Sequence, residues 1–244
     1  MPRKLKVLAV IPARGGSKGV PRKNARDLCG HPLIYYPIQA AKNCSLIDKV
    51  IVSTDDKEII RKAEECGAEI PFVRPESISG DKVSLIPVCQ HAMRFFDEQS
   101  QHYDAILSLQ PTSPFVTAEI LNKVVSLLIE TGCDSVVTVH EIIHGHPYRA
   151  KKLLADSRLD NFFEEFNGDT FLQKQDRPPA YAYNGAVYLR KRDLLENYNG
   201  KDFGLGNDVR AVCMSTEDSV NIDTESDFRM AEFIMKEIRG KRAL

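Results

Sequence analysis

Residues 7–11, Val-Leu-Ala-Val-Ile, form an apolar run without a turn residue, and the run empties into a basic loop rich in glycine. A strand that is apolar on both faces belongs inside a sheet covered on both sides. The run stops at Pro12, and the loop beyond it sets Gly15, Gly16 and Gly19 among Arg14, Ser17, Lys18, Arg22 and Lys23. Glycines this close together let the backbone approach a ligand and turn its N–H groups inward. Only an anion would stabilise so many cations around them, so the stretch reads as a polyphosphate cradle, against the blander reading of a solvated basic turn. No Gly-Lys-Ser/Thr follows at the spacing of a Walker A loop. Gly-x-Gly-x-x-Gly, the dinucleotide fingerprint, is also absent. Gly16-Ser17-Lys18-Gly19 fits the Gly-x-x-Gly of KH domains, but that loop is not delivered by a buried strand.

Downstream, strand and helix patterns alternate. Residues 31–44 read as a helix despite Pro37, 48–54 as a strand, 57–66 as an amphipathic helix closed by Gly67, and 69–73 as a third strand. Helices are expected over 83–99 and 117–130, the latter capped by Thr117, with strands at 105–109 and 135–139. This rhythm predicts an α/β fold with a doubly wound, mostly parallel sheet. Ligands of such sheets sit outside the carboxyl ends of the strands, the edge from which the glycine loop departs. After residue 140 the pattern turns irregular as far as 182 and carries Phe162, Phe163 and Phe166, too much apolar surface to leave in water. Strands are expected again at 185–189 and 211–214, and a terminal helix at 225–239.

A chain of 244 residues with 43% hydrophobic content and a net charge of −1 suits a single α/β domain spanning 1–244 and excludes a general nucleic-acid or membrane surface. The six cysteines form no Cys-x-x-Cys pair, and there is neither an apolar leader nor a membrane-spanning run, so reduced thiols and a soluble, cytoplasmic protein are expected.

Ala13-Arg14-Gly15-Gly16-Ser17-Lys18-Gly19 with Lys23-Asn24 resembles the motif of the CMP-sialic acid synthetases (acylneuraminate cytidylyltransferases), and the resemblance extends over nearly the whole chain. It implies a Rossmann-like fold of the nucleotide-diphospho-sugar transferase type, CTP and an α-keto acid sugar as substrates, Mg²⁺ or Mn²⁺, and a homodimer built through the insert at about 140–182. On that likeness Arg14, Gly15, Gly16, Ser17, Lys18, Lys23 and Asn24 hold the phosphates and ribose, with Arg14 and Lys18 touching the charge that grows during transfer. Arg74 matches an arginine that hydrogen-bonds cytosine, and Asp81 and Ser84 complete the base pocket.

Leu109-Gln110-Pro111-Thr112-Ser113-Pro114 resembles the family's sequence almost letter for letter, and the prolines would present Gln110 rigidly to the acceptor sugar. Ser219 to Glu225 is similar to a Ser-x-Asp-Ile-Asp-Thr-Glu element. Asn221 and Asp223 share a face at strand spacing, as a pair of Mg²⁺ ligands would. Asn221 stands where relatives carry aspartate, which puts the main metal role on Asp223 and leaves helix capping by Asp223 or Thr224 as the alternative. Lys174 aligns with a catalytic arginine, a non-equivalent replacement that leaves Arg177 as a second candidate. Tyr183 and Asn184 match an element near the sugar, and Arg149 is a candidate for the sugar carboxylate. Ala182 replaces an arginine of one bacterial branch and so suggests a sugar other than plain N-acetylneuraminate.

One motif points elsewhere. His140-Glu141-Ile142-Ile143-His144 is a complete His-Glu-x-x-His, the zinc-protease pattern. It follows a strand pattern directly and is cut off by Gly145 and Pro147, leaving little room for the helix that would hold both ligands. The activity that the resemblance implies is transfer of CMP to the anomeric hydroxyl of a nine-carbon α-keto acid sugar, N-acylneuraminate or legionaminate-like. Pseudaminate and octulosonate are alternative acceptors, and a non-catalytic nucleotide-binding subunit and a zinc metalloprotease are the other classes.

Overall fold

A computed structural model describes residues 5–16, 19–164, 173 and 176–239, with the backbone alone for 238 and 239. In chain order the strands are β1 (Val7–Pro12), β2 (Asp27–Leu28), β3 (His31–Pro32), β4 (Lys49–Ser53), β5 (Ala105–Leu109), β6 (Ser135–Glu141), β7 (Lys151–Leu153), β8 (Leu159–Asn161), β9 (Tyr181–Lys191) and β10 (Val209–Met214). The α-helices are α1 (Tyr35–Lys42), α2 (Lys57–Glu65), α3 (Leu85–Asp97), α4 (Ala118–Thr131), α5 (Arg192–Glu196) and α6 (Glu225–Phe233), the last continuing as a π-helical turn over Ile234–Arg239.

Six strands make one sheet in the order β10-β6-β9-β5-β1-β4. β1 runs parallel to β4 and β5, and β10 parallel to β6, while β9 is antiparallel to both its neighbours. The alternation along β1 explains why its whole sequence is apolar. Val7, Ala9 and Ile11 pack with Ile38 of α1, Ile59 of α2 and Leu121 of α4, whereas Leu8 and Val10 pack with Ile86, Met93 and Phe96 of α3. Helices thus cover both faces. From β1 the chain passes to β4 on one side, and after α3 to β5 on the other. That reversal opens a crevice at the carboxyl ends of β1 and β5.

A third apolar cluster gathers Val20, Leu28, Leu33, Phe115, Ile222 and Phe228 beside the glycine loop. It clamps the loop after β1 against the segment that enters α6. Asp56 caps α2 by accepting from the N–H groups of Glu58 and Ile59, Thr117 caps α4, and Thr224 opens α6 in a capping box with Asp227.

Three expectations need correction, and the doubt about the His-Glu-x-x-His is borne out. Residues 31–34 are not helical: His31–Pro32 pairs with Asp27–Leu28, and the helix begins at Tyr35, so that Pro37 falls in the first turn, where its missing N–H has no intrahelical partner to lose. Residues 69–73 make only the isolated bridges Ile51–Glu69 and Thr54–Val73, because Pro71 cannot donate to a ladder. Residues 219–223 are no strand, although Ile222 N–H donates to the Thr112 carbonyl (2.8 Å) and keeps the segment extended. Finally, His140 and Glu141 lie in β6 paired with Ala182 and Tyr181 of β9, so the His-Glu-x-x-His has no helix. Among the described residues no group of three or more His, Cys, Asp or Glu could hold a metal ion, and the zinc-protease reading is withdrawn. Nor, among these residues, is any helix long and apolar enough to cross a membrane.

Candidate active site

The crevice holds a cleft of about 480 Å³. Nine of the residues singled out from sequence line it: Arg14, Lys23, Asn24, Arg74, Asp81, Ser84, Gln110, Asn221 and Asp223.

The loop after β1 is held from two directions. Ala13 N–H donates to the Ser53 carbonyl (2.9 Å) and Gly15 N–H to the Asp55 carboxylate (3.1 Å), tying the loop to the exit of β4. A Cβ on Gly15 would lie 2.6 Å from Asp56 Oδ2. At the other end a Cβ on Gly19 would lie 2.0 Å from the backbone oxygen of Asp223, so only glycine permits the approach. Glycine here serves chain against chain as well as any ligand.

Lys23 bridges the same two segments. It is buried, and its Nζ donates to the Ile222 carbonyl and to Asp223 Oδ1 (3.1 Å). The other carboxylate oxygen of Asp223 accepts from Asn221 Nδ2 (2.7 Å). Asp223 is therefore aimed from both sides, and Thr224 rather than Asp223 caps the helix. Asn221 Oδ1 is buried and has no hydrogen-bond partner among the described residues. An orphan amide oxygen next to a carboxylate is a hard-oxygen pair that fits a divalent cation whose remaining positions are filled by water and phosphate. Asn24 is likewise half used: Nδ2 donates to the Arg14 carbonyl (3.1 Å), while the buried Oδ1 has no partner among the described residues.

Arg14 stands over the cleft with Nη1 2.7 Å from Asp81 Oδ1. Arg74 is almost fully buried, donating from Nε to Ser53 Oγ (3.1 Å) and from Nη2 to the Ser53 carbonyl. Burial, countered in part by Asp55 and reinforced by Arg14, pushes its pKa down to about 10. It stays protonated at neutral pH, a desolvated cation that an anion or a base carbonyl in the cleft would offset.

Gln110 follows β5 directly, with its N–H bonded to the Ala186 carbonyl (2.9 Å). Opposite, Asn184 is spent inside the protein. Its Oδ1 accepts from Thr138 Oγ1 (2.6 Å) and Ala186 N–H, and its Nδ2 donates to Ser219 Oγ (3.0 Å) and Met214 Sδ. Gly185, at φ 75°, is the residue that reaches the cleft, where the register between β6 and β9 shifts. Tyr183 is exposed and, like Arg149 and Arg177, lies outside the cleft lining. Ser17, Lys18, Lys174 and Phe166 lie outside the described residues. Sequence reading missed Tyr188 and Phe203, which form an aromatic wall with ring centroids 5.8 Å apart. Tyr188 looks like any alternating strand residue, and Phe203 sits in a loop with no motif.

A family model described as cytidylyltransferase matches residues 8–199. A pseudaminic acid cytidylyltransferase of Campylobacter jejuni is 32% identical over 238 residues, covering 95% of this chain and 97% of that protein. A CMP-N,N'-diacetyllegionaminic acid synthase of Legionella pneumophila is 34% identical over 233 residues, with the same coverage. Among solved structures, a CMP:2-keto-3-deoxy-manno-octonic acid synthetase complexed with CTP superposes with a TM-score of 0.71 at 18% identity over 95% of this chain and 99% of that one, a likeness of fold. With a glycine-lined basic loop locked against Asp223 at the edge of a doubly wound sheet, and a family match over most of its length, the chain belongs to the cytidylyltransferases, in the group of the CMP-sialic acid synthetases.

Proposed function

We propose that this cytidylyltransferase transfers CMP from CTP to the anomeric hydroxyl of a nine-carbon α-keto acid sugar, N-acylneuraminate or a legionaminate-like relative, and releases pyrophosphate. The observation that carries the reading is the meeting of the glycine loop and Asp223 across one cleft, with Lys23 reaching from the loop side to Ile222 and Asp223. Arg14, Lys23 and the loop N–H groups face the triphosphate, and Arg74, Asp81 and Ser84 the cytosine. Gln110 and the wall beside it face the acid. The acceptor oxygen forms a bond to the α-phosphorus as the bond to the departing pyrophosphate breaks, and the hydroxyl proton leaves to solvent. Among the described residues the only carboxylates lining the cleft are Asp81 and Asp223, and no histidine or cysteine lines it. Catalysis rests on positioning and on cations aimed at growing charge, with no covalent intermediate on the protein. Asp223 and the Asn221 carbonyl oxygen would hold a Mg²⁺, which when bound neutralises phosphate charge.

The test is pyrophosphate release with CTP and a panel of N-acylneuraminate, legionaminate, pseudaminate and octulosonate. Turnover with a nine-carbon acid, lost on addition of EDTA and restored by Mg²⁺, is the expected result. Saturable CTP binding without release for any acid would instead make the chain a nucleotide-binding subunit.

The homodimer is part of the same proposal. Leu153, Leu159, Phe162 and Tyr181 are 73%, 68%, 53% and 54% exposed on the lobe that carries the β7–β8 hairpin, an apolar surface that a second copy would cover. Light scattering is expected to give the mass of a dimer, and of a monomer after Leu159→Asp with Phe162→Asp. A wild-type monomer at high concentration would remove the shared-lobe idea.

A further inference from the structure

Among the described residues Arg190 is the largest fully buried side chain, at 0% exposure, and it lies in β9. It forms no ion pair with a carboxylate among the described residues. Nε donates to the Phe203 carbonyl (3.2 Å), Nη1 reaches Ser108 Oγ (3.4 Å), and Nη2 has no partner among the described residues. The guanidinium carbon stands 5.0 Å from the Tyr188 ring centroid and 5.9 Å from that of Phe203. Burial lowers its pKa.

Phe203 is unusual in its own right. Asp202, Phe203 and Gly204 have φ of 50°, 55° and 63°, a left-handed turn in which the two non-glycine residues are strained. The side chain at its centre is 48% exposed and lines the cleft. The chain beyond is anchored, since Ser135 Oγ donates to the Leu205 carbonyl (2.7 Å) and Asp134 accepts from Asn207 and Asp208. At the strained turn itself, among the described residues, the hydrogen bond from outside the turn comes from Arg190.

We propose that Arg190 is a positioning residue for the acceptor half of the cleft: by gripping the Phe203 carbonyl and lying beneath the Tyr188 and Phe203 rings, it holds the aromatic wall and so sets affinity for the acid and not for CTP. The assignment of halves follows from the sheet. Tyr188 and Arg190 belong to β9, which adjoins β5 and Gln110, whereas Arg14, Lys23 and Arg74 stand around β1 and β4. A buried, unpaired cation is costly to keep, and apolar replacements of buried charges often leave stability unchanged or raised. What the arginine holds, rather than stability, therefore gives its physical role here. This inference rests on the function proposed above, and its test has one arm that does not.

The chain contains no tryptophan, so Phe203→Trp puts a single reporter in the wall. Adding Arg190→Met is expected to increase acrylamide quenching of that tryptophan and lower its anisotropy, with the melting temperature unchanged or higher. Equal quenching in the two backgrounds overturns the proposal, whatever the enzyme does. In the catalytic arm, with the fastest acid of the panel, Arg190→Met is expected to raise the acceptor KM by about tenfold and leave the CTP KM within about twofold. Phe203→Ala is expected to do the same, with little added effect in the double variant. An equal rise in both KM values, or fully additive effects, counts against it. Should Arg190→Met not accumulate as folded protein, Arg190→Lys carries both arms, since a compact ammonium lacks the planar fork that reaches the carbonyl and both rings at once. If no acid turns over in the wild type the proposed function has failed, and the quenching arm still decides the role of Arg190.

Discussion

Gly19→Ala is expected to lose both stability and turnover, while Gly16→Ala stays as stable as the wild type. A methyl at 19 would sit 2.0 Å from the Asp223 carbonyl oxygen, against the roughly 3 Å or more of ordinary contacts, so one backbone has to yield by about 1 Å. Neither is free to do so cheaply. Val20, next to the glycine, and Ile222, next to the aspartate, are both at 0% exposure in one apolar cluster, and Ile222 is bonded to Thr112. A forced shift in a packed region costs about 1–3 kcal/mol, readable as a lowered urea midpoint. The loss of activity is expected to be larger, on the order of a hundredfold, because a displacement of about 1 Å also moves Lys23 and Asp223 out of register with the phosphates. At Gly16 a Cβ meets nothing within 4 Å among the described residues, so its stability should stay within about 0.5 kcal/mol of wild type. Equal behaviour of the two alanine variants would show that the close approach of loop and aspartate plays no part in the enzyme.

Asp223→Ala is expected to leave the fold nearly intact and to slow pyrophosphate release by about a hundredfold or more, a barrier increase of about 3 kcal/mol. The carboxylate is 66% exposed, and its pairing with Lys23 is screened, so the variant should lose less than about 1 kcal/mol of stability. Thr224 and Asp227 still cap α6. Chemistry suffers more, because the oxygen pair formed with Asn221 is broken and Lys23 loses the partner that aims it. CTP binding, measured by calorimetry without acceptor, is expected to weaken far less than turnover, since Arg74 does not touch Asp223. Near-normal turnover in this variant would move the metal and the transferred phosphate to another part of the cleft.

How far the sequence led differs from element to element. The unbroken apolar run of β1, the capped helices α2 and α4 and the strand at 105–109 could be read directly, because the strands are specified by unbroken apolar runs and the helices by local periodicity and their terminal residues. The strand expected at 69–73 failed on a single proline, and the helix expected from residue 31 failed because a short hairpin has no periodicity to betray it. At the site, the motif-borne residues Arg14, Lys23, Asn24, Arg74, Gln110 and Asp223 do converge on the cleft. Asn184 also lay in a motif, yet its amide holds β6, β9 and the 219 turn together and leaves Gly185 to face the cavity.

What the sequence determined by itself was the chemistry on offer: a basic glycine loop leaving a buried strand, a glutamine set between prolines and a carboxylate ahead of a capped helix. Each is encoded within a few residues, where backbone sterics and local hydrogen bonds decide. Which of these stand together was decided only by the tertiary structure. Residues 19 and 223 meet at the carboxyl edge of the paired strands β1 and β5, where a separate apolar cluster presses α6 against the loop. Burial of Arg190 behind a strained Phe203 comes from β9, the loop that follows it and Ser108 of β5 packing together, and no periodicity records that.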